Sequence, residues 1–598
     1  MNTHQIDTAD QLEAADQLEA ADQLETHSQL ENGNFVSRFI ENAMATPNKP
    51  ALRLPVMDGQ TCIAEDSITY GELNSLVSAY TLLWQKKGWK AGDRIIVILK
   101  PSKHLYAIAL SLFSMGMVAV FIDTGMGRKK IEMAIRDSNA QAIISMSALI
   151  KLFWFIPALW SLKRFAIDGH GLGYQNILNQ VAGIKPAESL ACIARSDTDH
   201  GLISFTSGST GRPKGADRTH FSLIQQHLAI RDHWPDEKGD IDCPCFPVMV
   251  LHNLSCGMTT IMPKVDLAQP AGVDAGKVID QIRTHKISRL SGAPAYISAL
   301  VEYLNGQADA NRTVTEIKSL VVGGATVSKA LAQGIRNAFP NANAKIVYGS
   351  TEAEPISDLS IDEYLAETQD GYLVGHIASQ IDLLISNVDD SDLNQKVDNP
   401  ITESDLLNHA CQTYEVGEIL VSGHHVLKQY IDNPDANTEN KIPRSNVAST
   451  KSVWHRTGDC GYLDSQGRLW LSGRTKDVMH INGHMVQPYP IEQALDSIEN
   501  VHRAAVISDA KKVYVFIEKH GINDKGDEAL NECIRLIANE YFVSTGLTEV
   551  QIITLHKMPV DGRHNSKLDR PALRNTLLNK QSITAELLTL EKAGTRSS

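Results

Sequence analysis

Residues 204–215 read Ser-Phe-Thr-Ser-Gly-Ser-Thr-Gly-Arg-Pro-Lys-Gly and directly follow the apolar run "GLISF". Glycines at 208, 211 and 215 let the backbone turn sharply and approach a ligand closely. Successive amide N–H groups in such a turn form a concave nest for an anion. Ser207, Ser209 and Thr210 add hydroxyl donors, and Lys214 adds a mobile charge. The chemistry this composition suits is phosphate binding, against the plainer reading of a flexible Ser/Gly turn. A Walker A loop would need Gly-x-x-x-x-Gly-Lys followed by Ser or Thr. Here Lys214 follows Pro213 and precedes Gly215, with no hydroxyl after it to hold magnesium. A P-loop ATPase or kinase is therefore disfavoured.

The elements that must hold this loop come from alternating patterns. "DRIIVILK", "VAVFID", "AQAIIS", "GLISF", "KSLVVGG" and "NAKIVYG" read as strands, and "HLYAIALSLFSMG" reads as an intervening helix. Such alternation predicts an α/β fold with mostly parallel sheets. After Arg474 the character changes to a shorter unit, with "YPIEQAL" and "ALNECIRLIANEYF" as helices and "KVYVFIEK" and "EVQIITL" as strands. We place a boundary there: a tail over 1–33, a large domain over 34–473 and a small α+β domain over 474–598. The tail repeats Ala-Asp-Gln-Leu-Glu-Ala with a period of six, which turns a helix by roughly 240° and makes no leucine stripe. It is expected to be a disordered acidic tail. Residues 386–412 are rich in Asp and Asn and read as a surface loop. "LFWFIPALWSL", residues 152–162, is the most apolar run and is too short to cross a bilayer. A buried element is the expected reading, and a membrane- or acyl-chain-contacting surface the sharper alternative.

The totals set the limits. A chain of 598 residues suggests two to four domains at roughly 100–200 residues each. The formal charge of -14 gives no global basic footprint, so nucleic acid is not an expected partner. An anionic ligand needs local cations against that field. Eight scattered cysteines and no signal-peptide pattern predict free thiols in a cytoplasmic protein. Cys243-Pro-Cys245 has no second Cys/His pair at a metal-like spacing, so zinc is not expected.

The phosphate loop resembles that of the adenylate-forming superfamily, which includes acyl-CoA ligases, luciferases and peptide-synthetase adenylation domains. Further segments resemble the family's motifs in the expected order: "YGSTEAEP", "WHRTGDCGYLD", "LSGRTKDVMHINGHMVQPYPIEQAL" and "MPVDGRHNSKLDRPAL". The resemblance spans about residues 34–575 and implies ATP and Mg²⁺. It places the pyrophosphate half of ATP on Thr206, Ser207, Gly208, Ser209, Thr210, Gly211 and Lys214. It assigns Gly324, Tyr348, Gly349 and Ser350 to the nucleotide, Thr351 to the α-phosphate and Glu352 to magnesium. Asp459 would bridge the ribose hydroxyls, a task that suits a carboxylate. Arg474 would approach the nucleotide, Lys476 would be the hinge of a rotating C-terminal domain, and Lys567 would be the catalytic lysine.

"FPVMVLHNLSCGMTTIMP", "SGAPAYISAL" and "PVDGRHNSK" are most similar to the β-lactone synthetases of bacterial long-chain olefin biosynthesis. That implies a β-hydroxy fatty acid as substrate, activated as an acyl-adenylate and closed by its own β-hydroxyl, with no CoA. His252 and Gly292 fall at substrate positions by the same resemblance; for His252 a satisfied structural histidine is the other reading. Glu354, Ser357 and Gly562 depart from the group's pattern. The alternative is a fatty acyl-CoA or acyl-AMP ligase that passes the acyl group to CoA or a carrier protein. An olefin-pathway or carrier-protein partner is implied with it.

Overall fold

The computed structural model describes residues 33–590 apart from 59–60, 188–189, 191, 207–211, 266–272, 370, 388–400, 446–451, 499–500, 510–511, 520–527, 561–566 and 579–584. The hexapeptide repeats, loop residues Ser207, Gly208, Ser209, Thr210 and Gly211, and Gly562 lie outside the described residues.

The first group of strands forms a seven-stranded sheet. Its spatial order is Gln175–Asn176, Lys163–Ala166, Ala142–Ser145, Arg94–Ile98, Val118–Ile122, His200–Thr206 and Lys214–Thr219. Every adjacent pair is parallel except the last. Parallel strands are covered on both faces, so they must be apolar at consecutive positions. Ile95, Ile96, Ile143 and Ile144 are accordingly fully buried. The helix Lys103–Ser114 crosses between two of these strands and is capped by Ser102, whose Oγ accepts from the Leu105 amide at 3.2 Å. The preceding helix, Tyr70–Lys86, opens with a reciprocal cap: Thr69 Oγ1 accepts from the Glu72 amide, and Glu72 accepts from the Thr69 amide.

A second, fourteen-stranded sheet has a parallel centre and antiparallel flanks. In the centre, Ile241–Pro244, Arg289–Gly292, Ser319–Gly323 and Asn343–Ser350 run parallel. Ala353–Ser360 then turns back antiparallel, and the strands Val453–Leu463 and Leu469–Arg474 pair antiparallel further out. The architecture is α/β with mixed and parallel sheets, as the alternation implies. The C-terminal residues build a separate four-stranded sheet from Val501–Asp509, Lys512–Lys519, Glu549–Leu555 and Ala585–Thr589. The helices Pro488–Asp496 and Glu528–Phe542 contribute Ile491, Leu495, Ile534 and Phe542 to the core of that unit.

Two expectations change. The run 152–162 is only partly buried. It forms two short 3-10 turns, Lys151–Phe155 and Pro157–Leu159, which bury Ile156, Leu159 and Leu162 but leave Leu152, Phe155 and Trp160 exposed. Pro157 starts the second turn, where its missing N–H costs nothing, and so splits the run. Within 386–412, Glu403–Asn408 is a helix rather than loop, because Thr402 and Asp405 cap each other and Leu406 is buried.

Candidate active site

Three of the candidate positions lie at the carboxyl ends of the parallel strands. Gly292 pairs with Val322, and Gly323 with Val347, so Gly292, Gly324 and Tyr348 stand side by side where the parallel pairing ends. This is where open parallel sheets bind ligands, since loops diverge there and leave a crevice. Gly324 has a φ of +89°, which favours glycine, and at Gly349 a Cβ would meet the Ala353 carbonyl at 2.9 Å.

The strand ending at Ser350 reverses through a two-residue turn, since Ser350 pairs with Ala353. Thr351 and Glu352 are therefore presented at a hairpin tip. Several contacts fix it. The Glu352 amide donates to Ser350 Oγ at 3.2 Å, the Leu427 amide donates to the Glu352 carbonyl at 2.7 Å, and the Arg218 guanidinium donates to the Thr351 carbonyl. The Tyr430 hydroxyl donates to Glu352 Oε1 at 2.8 Å. Burial opposes ionisation of Glu352, but His455, Lys441 and the Tyr430 hydroxyl overcome it and hold the carboxyl at about 2.

The candidate phosphate loop lies in the chain between a second pair of antiparallel strands. Thr206 pairs with Lys214, so residues 207–213 join two antiparallel strands. Lys214 is thus held within a strand and buried, rather than mobile as its place in the sequence suggests. Its Nζ lies 5.3 Å from the Tyr430 ring centroid and 3.7 Å from Glu439. Residues 429–431 run alongside this strand: the Ile431 amide donates to the Gly215 carbonyl at 2.9 Å, and the Asp217 amide to the Gln429 carbonyl at 3.4 Å. A Cβ on Gly215 would sit 2.7 Å from Ile431 and 2.9 Å from Phe205, so only glycine permits this approach.

A second lysine completes the cluster. Lys441 is buried, donates from Nζ to the Leu427 carbonyl and lies 5.2 Å from the Tyr430 ring centroid. Burial, with Lys214 and Arg218 nearby, lowers its pKa to about 7 against the pull of Glu352. Tyr430, Lys441 and Arg218 are absent from the sequence-based candidates. Lys441 sits in a polar stretch, "TENKIPRS", where nothing marks it as buried.

Asp459 and Arg474 are cross-strand partners. Arg474 Nε lies 2.8 Å from Asp459 Oδ1, and the Tyr348 hydroxyl donates to Oδ2 at 2.8 Å. Each carboxylate oxygen can accept a further bond, so this clamp leaves capacity for a diol. Lys476 is exposed in the turn Thr475–Asp477 that leaves this strand. Its neighbour Asp477 is buried and pairs with Arg570 at 3.2 Å. Lys567 is exposed, and its charge reaches the Thr351–Glu354 hairpin. Glu354 presents surface to solvent, yet the surrounding protein desolvates its carboxyl and raises its pKa, while Arg218 and Lys567 pull the other way.

His252 stands apart from this cluster, linked to it by the helix His220–His233. On that helix Gln226 donates to the Glu354 carbonyl at 3.3 Å, and the His227 Nδ1 lies 3.0 Å from His252 Nδ1. His252 Nε2 is 3.5 Å from Cys256 Sγ. Burial holds both imidazoles neutral, His227 down to about 3. Among the described residues these three are the one cluster of metal-capable side chains. They form a chain, with the middle imidazole using both nitrogens, whereas a metal ion would take one nitrogen from each ring. All eight cysteines are free.

The arrangement can bind a polyphosphate. Lys214, Lys441 and Arg218 supply cations, and Glu352 supplies a hard anionic oxygen. That donor set fits magnesium, which binds one or two carboxylates and completes its shell with phosphate oxygens and water. No helix among the described residues is long and apolar enough to cross a membrane.

The sequence matches the AMP-binding enzyme family over residues 39–431. It is 27% identical over 560 residues to an olefin beta-lactone synthetase of Stenotrophomonas maltophilia, covering 90% of this chain and 97% of that relative. It is 23% identical over 522 residues to a putative acyl-CoA ligase of Bacillus subtilis, covering 86% and 94% of the two chains. The fold is similar to that of ATP-bound MatB from Rhodopseudomonas palustris, with a TM-score of 0.73, 19% identity and coverage of 91% and 99%.

Proposed function

The chain belongs to the AMP-binding enzyme family and is an adenylate-forming ligase, and on that footing we propose that it converts a long-chain β-hydroxy carboxylic acid and ATP into a β-lactone, AMP and pyrophosphate. The end-to-end similarity to an olefin beta-lactone synthetase, over 97% of its length, is the observation that carries this reading.

A carboxylate is a poor electrophile. In the first step its oxygen attacks the α-phosphorus of ATP, the bond from that phosphorus to the bridging oxygen breaks, and pyrophosphate leaves. The cost lies in charge developing on phosphoryl oxygens, which fixed cations and donors must meet. Lys214 and Lys441, both beside the Tyr430 ring, would hold the β- and γ-phosphates together with residues 206–211. Thr351 and Lys567 meet the α-phosphate. Glu352 would hold Mg²⁺, which neutralises phosphate charge when bound. Tyr348, Gly349, Ser350 and Gly324 wall the nucleotide, and Asp459 takes the ribose hydroxyls with Arg474 beside it. Gly292 and His252 lie on the substrate side.

In the second step the β-hydroxyl oxygen attacks the acyl carbon of the adenylate. The hydroxyl proton is lost, the four-membered ring closes and AMP departs. An intramolecular nucleophile removes the entropy cost of a second substrate. Residues 474–598 form the domain that rotates between the steps about Lys476, as hinge closure needs only a few torsions. The similarity to an acyl-CoA ligase supports the second reading, transfer to CoA or a carrier protein.

The test is a reaction of purified protein with ATP, Mg²⁺ and a long-chain β-hydroxy acid without CoA, followed by NMR of the organic extract. A β-lactone with stoichiometric AMP is expected. AMP that forms only after CoA or a carrier protein is added would replace the lactone with a thioester.

A further inference from the structure

The short turns between 151 and 162 carry a feature that adenylation does not use. Leu152, Phe155 and Trp160 are 46%, 63% and 59% exposed, while Ile156 and Leu159 between them are buried. Among the described residues, Phe155 and Trp160 are two of the three strongly exposed aromatic side chains. The segment is anchored rather than loose. Arg128 donates to the Phe155 carbonyl, and Arg164 donates to the Leu159 carbonyl at 2.7 Å and to the Gly173 carbonyl at 2.8 Å. The second of these bonds brings in the loop tip Leu172, 83% exposed.

The charge within the segment itself has one sign, and the acidic side chains of the adjoining helix, Glu132 and Asp137, are paired with Arg136 and Arg212. Residues 147–164 contain Lys151, Lys163 and Arg164 and no acidic residue. The helix Arg128–Asp137, which begins Arg-Lys-Lys, abuts the turns through the Arg128 contact. Lys129, Lys151 and Lys163 are all exposed. The whole chain carries a formal -14, which repels anionic surfaces. A cationic rim around exposed aromatic and aliphatic side chains reverses that locally. Aromatic rings favour the polar–apolar boundary of a bilayer, and lysines reach its anionic headgroups with their stems on the apolar side.

We propose that Leu152, Phe155 and Trp160, rimmed by Lys129, Lys151 and Lys163, dock this protein reversibly on a bilayer containing anionic lipid. The contact is peripheral, since no described helix spans a membrane. It places the enzyme at the surface where long acyl chains reside, and it holds whichever acceptor ends the reaction.

Sedimentation of the full chain with vesicles of phosphatidylcholine alone, or mixed with phosphatidylglycerol, tests it with no hydroxy acid present. Binding to the mixed vesicles at low salt, and release at high salt, is expected. The Phe155→Ser/Trp160→Ser variant should lose binding. The Lys129→Gln/Lys151→Gln/Lys163→Gln variant should bind roughly tenfold more weakly or worse. Both should keep wild-type ATP–pyrophosphate exchange, because none of these side chains touches the nucleotide site. Failure to bind the mixed vesicles, equal binding by either variant, or a dimer that the Phe155/Trp160 variant abolishes would overturn the proposal.

Discussion

The Tyr430 hydroxyl donates to Glu352 Oε1 at 2.8 Å, across 78 residues of sequence. The same ring has a lysine at 5.3 Å and another at 5.2 Å, Lys214 and Lys441. One aromatic side chain thereby sets the orientation of the candidate metal ligand and the spacing of two candidate phosphate cations.

Replacing Tyr430 by Phe keeps the ring beside the two lysines and removes only the bond to Glu352. A hydrogen bond to a charged group is worth about 1.5–3 kcal/mol. ATP–pyrophosphate exchange should fall by at least about tenfold, with a higher Mg²⁺ requirement. A Mg²⁺ titration of the exchange rate is the measurement, and an unchanged curve would remove Tyr430 from the site.

Lys441→Met removes one partner of a buried charge pair and leaves the Glu352 carboxylate and the Leu427 carbonyl without its ammonium, which is destabilising. The melting temperature should fall, and KM for ATP should increase on the order of tenfold. A drop in melting temperature with normal kinetics would assign Lys441 to packing alone.

Lys567 is exposed on the C-terminal unit, and its charge reaches Glu354. Lys567→Ala should abolish adenylation, losing several kcal/mol of transition-state stabilisation, while ATP still binds. Calorimetry with ATP and an exchange assay check the two halves. Near-normal exchange would refute the role.

His200 Nδ1 lies 2.7 Å from Asp217 Oδ1, and that bond raises the imidazole pKa against burial. A raised folded value means the stabilisation is fully present below the unfolded value of about 6.5 and is lost as pH rises through the folded one. Melting curves of wild type and His200→Gln should differ most at acid pH and converge above neutrality. The effect is small, because the side chain is 34% exposed and partly screened by water. A difference that grows with pH would contradict the pairing.

Local signals in the chain carried much of this. The apolar runs around 94, 118, 142 and 200 marked parallel strands because burial on both faces demands continuous hydrophobicity. Ordered motifs with Gly208, Glu352, Asp459, Arg474 and Lys567 pointed to adenylation through their resemblance to those of the adenylate-forming superfamily. Relations between distant segments were not legible. Nothing near residue 430 or 441 announces a site, since Tyr430 and Lys441 gain their places only when the 429–431 segment pairs with Gly215 and Asp217. Lys214 read as mobile because its neighbours are Pro and Gly, yet pairing with Thr206 fixes it in a strand. The run 152–162 read as buried because composition reports how apolar a segment is. Which of its side chains face the core depends on the turns that Pro157 and the Arg128 and Arg164 contacts impose.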